Sequence, residues 1–247
     1  EVEPGLALGL ARADPRQHGL VRSRQRLGRR QPHQHTPDQP RTGSGGDGID
    51  IGEACSNVLI EGNLIYFNSD KGISVGQAST VTLRKNLIVG CVLGVGIKDA
   101  DSVATIDQNT FVNCNTGVDV YEKNFGDGGG SAVITHTIFS KCSILPVQVD
   151  AFSTAVTSYS LSDTVALSGT GNLLASPMFI DAESLNFQLQ PDSPAIDAGD
   201  PGHAPDADGS RSDIGAYYTY DPAHYPWTPS TTVVIDEVLA HSGPDTP

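Results

Sequence analysis

Residues 57–91 read NVLIEGNLIYFNSDKGISVGQASTVTLRKNLIVGC. Within this stretch VLIEGNLI (58–65) returns as VTLRKNLI (81–88), and each copy carries Asn followed by Leu-Ile. Extending the register gives GIDIGEACSNVLIEGNLIYFNSDK (48–71), GISVGQASTVTLRKNLIVGCVL (72–93), GVGIKDADSVATIDQNTFVNCNT (94–116) and GVDVYEKNFGDGGGSAVITHTIFSKCSI (117–144). The units are 24, 22, 23 and 28 residues long. A period in the low twenties marks a repeat architecture and takes precedence over any local reading.

Each unit has three apolar patches separated by Gly, Asn, Ser or Asp. The first is Gly-Ile/Val-x-Ile/Val, the second ends at Ile60, Leu83, Ile106 or Val133, and the third follows the Asn. Patches of three to five residues with alternating polarity are strands rather than helices. The Leu-x-x-Leu-x-Leu frame of a leucine-rich repeat is absent. Three strands per 22–24-residue coil describe an all-β solenoid, a parallel β-helix. Ile49, Ile73, Val95, Val118 and Val147 stack inside it, as do Ile51, Val75, Ile97, Val120 and Val149. Asn63, Asn86 and Asn109 fall in one column at the turn between the second and third strands. Stacked amides there satisfy turn backbone that would otherwise be buried and unpaired. His136 is read as the fourth residue of that column, where the ladder ends or changes. Cys91 and Cys114 share another column, read as a small buried stack rather than a disulfide.

The composition agrees. Among 247 residues 38% are hydrophobic and only 6% aromatic, with 27 Gly and 16 Pro, a turn-rich profile. The net charge of −14 argues against a nucleic-acid partner. No apolar run is long enough to span a membrane. Residues 1–42 hold eight of the 15 basic residues and four of the 29 acidic ones, and show no periodicity. They are expected to form an irregular or disordered basic arm. The four cysteines make no C-x-x-C spacing, and the seven histidines are scattered without a zinc signature.

The Gly-Ile-x-Ile … Ile-x-x-Asn-x-Ile pattern resembles the right-handed parallel β-helix repeat of the pectin-lyase-like superfamily, over residues 46–150 and extending toward 190. ASPMFIDAESLNFQLQPDSPAIDAGDPG with PDADGSRSDIGAYYTY (175–220) is similar to the closing segment of secreted bacterial β-helix proteins. TTVVIDEVLAHSGPDTP (231–247) resembles the opening strand of a lamin-tail domain. These resemblances imply an arm at 1–42, a β-helix at 43–190, a C-terminal cap segment at 191–220, and a linker with the first strand of a truncated module at 221–247. They also imply an extracellular or cell-surface location and further domains of one parent chain.

In the superfamily the Gly-Ile-x-Ile strand lines the substrate groove. Alternation points Asp50, Ser74, Asp119, Lys98 and Tyr121 outward from it. They are the candidate ligand-binding residues, with polysaccharide or cell-surface glycan as the partner. Asp50 and Asp119 lie three coils apart, about 14 Å at the strand spacing. A glycosidase pair needs roughly 5–9.5 Å. Lys98 and Tyr121, one coil apart, are the candidate base and acid of a β-elimination. Asp99 and Glu122 are candidate Ca²⁺ ligands beside them. No Arg of the coils joins this face, because Arg84 lies on a second-position strand. The chain is therefore expected to be a carbohydrate-binding or structural scaffold, with an acidic-polysaccharide lyase as the alternative. The insertion EKNFGDGGGSA (122–132) overhangs this face. DADGSRSD (206–213) starts like a calcium loop but lacks the closing Glu, and is expected to be a structural turn.

Overall fold

The computed structural model describes residues 8–12, 20–23 and 46–216, and the described chain is all strand and turn. It is a parallel β-helix of about five coils. The first sheet stacks Ile49–Gly52, Lys71–Val75, Leu93–Lys98, Thr116–Tyr121 and Leu145–Val149. The second stacks Val58–Tyr66, Thr80–Arg84, Val103–Asp107, Ser131–Thr135 and Thr154–Ser158. In the first coil the second and third strands are fused within Val58–Tyr66. From its far half the third sheet continues through Leu87–Val89, Thr110–Val112, Ile138–Ser140, Leu161–Ser162 and Leu173–Leu174.

The register matches the predicted first-strand stacks. Ile49, Ile73, Val95, Val118 and Val147 are successive partners, and Ile51, Val75, Ile97 and Val120 are fully buried. Val149, predicted to close the second stack, keeps its register opposite Val120 but is 40% exposed, because Leu145–Val149 is the edge strand of its sheet and, among the described residues, no further coil covers it. The third-strand column contains two rings, Phe111 and Phe139, stacked with centroids 5.1 Å apart and planes 7° off parallel. Glycine is required opposite them. A Cβ on Gly94 would run into the Phe111 ring, and one on Gly117 into the Phe139 ring.

The asparagine ladder forms as predicted and runs further. Asn63 N–H and Nδ2 donate to Asn86 Oδ1 (3.0 and 2.9 Å), and Asn86 N–H and Nδ2 donate to Asn109 Oδ1 (3.0 and 2.9 Å). The next rung is Thr137, whose Oγ1 accepts the Asn109 N–H, not His136. The same correction moves the core residue of that coil from Val133 to Ile134, which pairs with Ile106 and is buried while Val133 faces out. One slip of a single residue accounts for both, because it exchanges inward and outward positions along a strand. Ser160 and Asn172 then complete the column: Thr137 N–H donates to Ser160 Oγ and Ser160 N–H to Asn172 Oδ1. His136 instead occupies the left-handed turn position before each rung, in line with Lys85, Gln108 and Tyr159.

Two pieces of the basic arm depart from the irregular expectation. Leu8–Arg12 pairs antiparallel with Val58–Tyr66, and Leu20–Ser23 with Ile49–Gly52. The first coil leaves open strand edges, and backbone pairing across an edge does not depend on side-chain periodicity. The linker and lamin-tail-like stretch fall outside the described residues.

After an antiparallel hairpin, Phe179–Asp181 with Asn186–Leu189, the chain turns back along the flank of the coils. Leu189, Ala195 and Ile214 cluster with Ile138 and Leu161, and Phe187 packs with Leu87, Val89 and Val112. The strands Leu87–Val89, Thr110–Val112 and Ile138–Ser140 of the third sheet are thus buried on both faces, which is why alternating polarity is weak there.

Candidate functional site

The outer face of the first sheet carries the predicted residues in two columns. Asp50, Ser74, Gly96, Asp119 and Gln148 are register partners in one, and Lys98 pairs with Tyr121 in the next. The space above the glycines of this face is filled. A Cβ on Gly96 would meet Lys71 Cδ at 2.8 Å, and one on Gly76 would meet Lys98 Cε at 3.2 Å. Two lysine stems therefore lie flat against the sheet in the space that glycine opens.

Lys98 is only 9% exposed and its Nζ meets Ser74 Oγ at 2.6 Å. Burial lowers its pKa, with Asp50 opposing this and Lys123 and Lys71 adding to it. Lys71 Nζ sits 2.7 Å from Asp70 and 3.4 Å from Asp47. Burial opposes its charge, but these carboxylates outweigh burial and hold its pKa up. Burial raises the pKa of Asp119, with Asp150 adding to it, and Asp119 Oδ1 is buried without a hydrogen-bond partner. Burial also raises the Tyr121 phenol, against the pull of Lys71.

Asp99 and Glu122 adjoin this face, and both carboxylates are engaged by the inserted loop. Asp99 Oδ1 accepts the N–H groups of Lys123 and Asn124 (2.8 and 3.0 Å), and its Oδ2 accepts Asn124 Nδ2 (3.0 Å). Glu122 Oε1 accepts the N–H groups of Gly126 and Gly128 (3.0 and 2.8 Å). The loop is stapled at both ends and holds Phe125 99% exposed at its tip. The neighbouring coil presents Phe152, 62% exposed, and Gly129 N–H donates to the Phe152 carbonyl. Sequence reasoning identified the loop but not the two exposed rings, Phe125 and Phe152, although both sit in stretches free of repeat pattern.

Arg84 faces Glu61 on the second sheet (2.8 Å) and stays away from this face, as predicted. Cys55, Cys91, Cys114 and Cys142 are free and buried, and burial, reinforced by Asp163, pushes the Cys142 thiol up to about 12. The 206–213 stretch is a turn, with Asp206 Oδ2 accepting the Asp213 N–H and Asp208 Oδ1 the Ser210 N–H. Among the described residues, the group arranged as metal ligands is a different one: Asp107, His136 and His203. Their separation in the chain left no spacing signature.

Stacked parallel coils with an internal polar ladder define a parallel β-helix protein. The chain belongs to the right-handed β-helix family: the model for the right handed beta helix region matches residues 39–166. No curated protein and no solved structure matches the chain.

Proposed function

We propose that this β-helix is a non-catalytic scaffold, displayed outside the cell as part of a longer chain, that binds an extended glycan across the outer face of its first sheet. The observation that carries this reading is the stapled 122–130 loop, which holds Phe125 in full solvent exposure. An ordered loop that presents an apolar ring to water is a feature of binding surfaces. Tyr121 lies at the root of the loop, and the lysine–aspartate pairs of the face supply hydrogen-bonding groups around it. Affinity electrophoresis or array binding with neutral and acidic polysaccharides tests the reading. Phe125→Ala and Tyr121→Ala should each weaken binding while leaving the circular dichroism spectrum unchanged. Absence of binding to every polysaccharide class, or binding unaffected by both substitutions, refutes it.

One observation favours a second reading, β-elimination on an acidic polysaccharide. The Lys98 amine is biased toward its neutral, basic form by burial and adjoins Tyr121 across one rung. Its engagement with Ser74 and its low exposure weigh against this role. Growth of unsaturated-uronate absorbance with alginate, pectate or glycosaminoglycans, with and without Ca²⁺, and its loss in Lys98→Met would replace the scaffold reading by the enzymatic one.

A further inference from the structure

Three side chains distant in sequence meet where the C-terminal segment crosses the second turn. Asp107 ends the strand Val103–Asp107, His136 follows the stacked strand Ser131–Thr135, and His203 arrives from the returning segment. One ligand-type atom of each lies within 4.8 Å of the others.

Hydrogen bonds decide where the protons are. His136 Nε2 accepts the Asp200 N–H (2.9 Å), so its Nδ1 bears the ring proton and donates to Asp107 Oδ1 (2.7 Å). Thr135 Oγ1 donates to the same oxygen (2.8 Å). Asp107 Oδ1 is thereby saturated and the carboxylate is fixed in orientation. The His203 Nδ1 lies 2.9 Å from the Ala204 carbonyl, which can only accept, so the proton is on Nδ1. In the neutral ring, Nε2 is then a bare lone pair, and it faces Asp107 Oδ2 at 3.6 Å. Two acceptors confront each other across a gap that calls for a cation. A second carboxylate, Asp206, lies close enough to interact with His203, and Lys85 interacts with both Asp206 and Asp107.

We propose that Asp107 Oδ2 and His203 Nε2 bind one divalent late-transition ion, with Zn²⁺ as the probe, and that the ion pins the C-terminal segment to the coils. An imidazole nitrogen with a carboxylate oxygen selects zinc-type ions over calcium. Two ligands on a tetrahedral ion with bonds of about 2.0 Å lie about 3.3 Å apart, close to the 3.6 Å found. Water completes the coordination. The His203 Nδ1–H bond to a backbone carbonyl is the contact that orients ligating histidines, and His136 is a positioning residue that holds the carboxylate. His136 cannot ligate while its Nε2 accepts the Asp200 N–H.

The test uses the full chain, stripped with a chelator and dialysed, then titrated with Zn²⁺ by calorimetry and scanned for thermal unfolding. One Zn²⁺ site per chain and a higher unfolding temperature are expected, with no effect of Ca²⁺ at the same concentration. His203→Ala should weaken the site by at least about tenfold and cancel the thermal shift. Because the His203 side chain is partly exposed, this variant should fold. Co²⁺ bound to the parent chain should give a visible ligand-field band that His203→Ala lacks, a signal that a purely structural role would not move. Three results overturn the proposal: no heat and no thermal shift with Zn²⁺, binding retained in full by His203→Ala (which places the ion at histidines elsewhere), or stabilisation of the segment by acid alone with no response to Zn²⁺, which makes a proton the bridging cation.

Discussion

Replacing Asn86 probes the ladder at a rung with all four side-chain hydrogen bonds formed. Asn86 Oδ1 accepts the Asn63 N–H and Nδ2, and Asn86 Nδ2 donates to the Ile60 carbonyl (2.8 Å) and to Asn109 Oδ1. The residue is fully buried. In Asn86→Ala the Asn63 N–H and the Ile60 carbonyl both lose these partners inside the solenoid. Each buried group left unsatisfied costs about 1–3 kcal/mol, so the loss should be about 2–6 kcal/mol. Asn86→Thr should cost less, because the natural rung Thr137 shows that a hydroxyl can accept the N–H of the coil below and donate to a backbone carbonyl (2.8 Å). Asn86→Asp keeps the acceptor toward Asn63 but aims a second oxygen at two acceptors. Its folded-state pKa should therefore rise above the unfolded value of about 3.9. Such a group leaves stability intact below its unfolded pKa and removes it as pH rises through the folded pKa. Urea unfolding at neutral pH should thus rank Thr above Ala, and Ala level with or above Asp, with Asp recovering in acid. A loss below about 0.5 kcal/mol for Ala, the size of an ordinary surface change, refutes the ladder as a source of stability. So does a Thr variant less stable than Ala.

Two further substitutions examine the packing and the charged face. Gly94→Ala places a methyl group in the Phe111 ring, whose other side is closed by Phe139, so it should cost at least about 1–3 kcal/mol as overpacking does; an unchanged unfolding temperature refutes the close approach. Lys98 has a folded-state pKa below that of the unfolded chain, so the unfolded chain binds more protons in the window below about 10.5. Stability of the parent should therefore rise with pH across that window relative to Lys98→Met, as measured by the difference in denaturation midpoints near pH 7 and 9.5. A difference that is constant or shrinks with pH refutes burial as the dominant influence on this lysine.

The coils were legible because each one repeats the same solution. Gly-Ile-x-Ile recurs with little change, and Asn63, Asn86 and Asn109 mark the register in three successive units. The reading slipped by one residue where Asn gives way to Thr137 and the insertion at 122–132 lengthens the coil. There, the marker had changed its chemistry while keeping its hydrogen bond. The candidate face was legible only as alternation: Asp50, Ser74, Asp119, Lys98 and Tyr121 do share it. That Lys71 and Lys98 would fold down over Gly96 and Gly76 was not legible, because long flexible stems take the conformation that burial favours rather than the one alternation suggests. The Asp107–His136–His203 cluster left no spacing signature, although His136 stood out as a break in the ladder. Its members are 29 and 67 positions apart, and they meet only because the segment after the hairpin returns along the flank.

That return also changes how the coils depend on one another. In a simple solenoid each coil is coupled to its two neighbours alone. Here Phe187, Leu189, Ala195 and Ile214 pack against Leu87 and Val89 of one coil, Val112 of the next, Ile138 of the third and Leu161 of the fourth. Gly215 N–H donates to the His136 carbonyl and Ala216 N–H to Thr110 Oγ1, so backbone hydrogen bonds reinforce the apolar contacts. Opening any one of these coils must therefore disturb the returning segment and, through it, coils two or three steps away. The same coverage bears on where a ligand can bind. The outer face of the third sheet is closed by the chain itself, and that of the second carries Val103, Val133 and Val156 with the Arg84–Glu61 pair. Of the three, the first sheet is the one whose outer face combines buried lysines, an unpartnered Asp119 oxygen and an inserted loop that ends in an exposed ring. The departures from the repeat thus fall into two groups: that at His136 fastens the returning segment through the Asp200 and Gly215 N–H groups, and those at Lys98, Tyr121 and Phe125 shape the surface it leaves open.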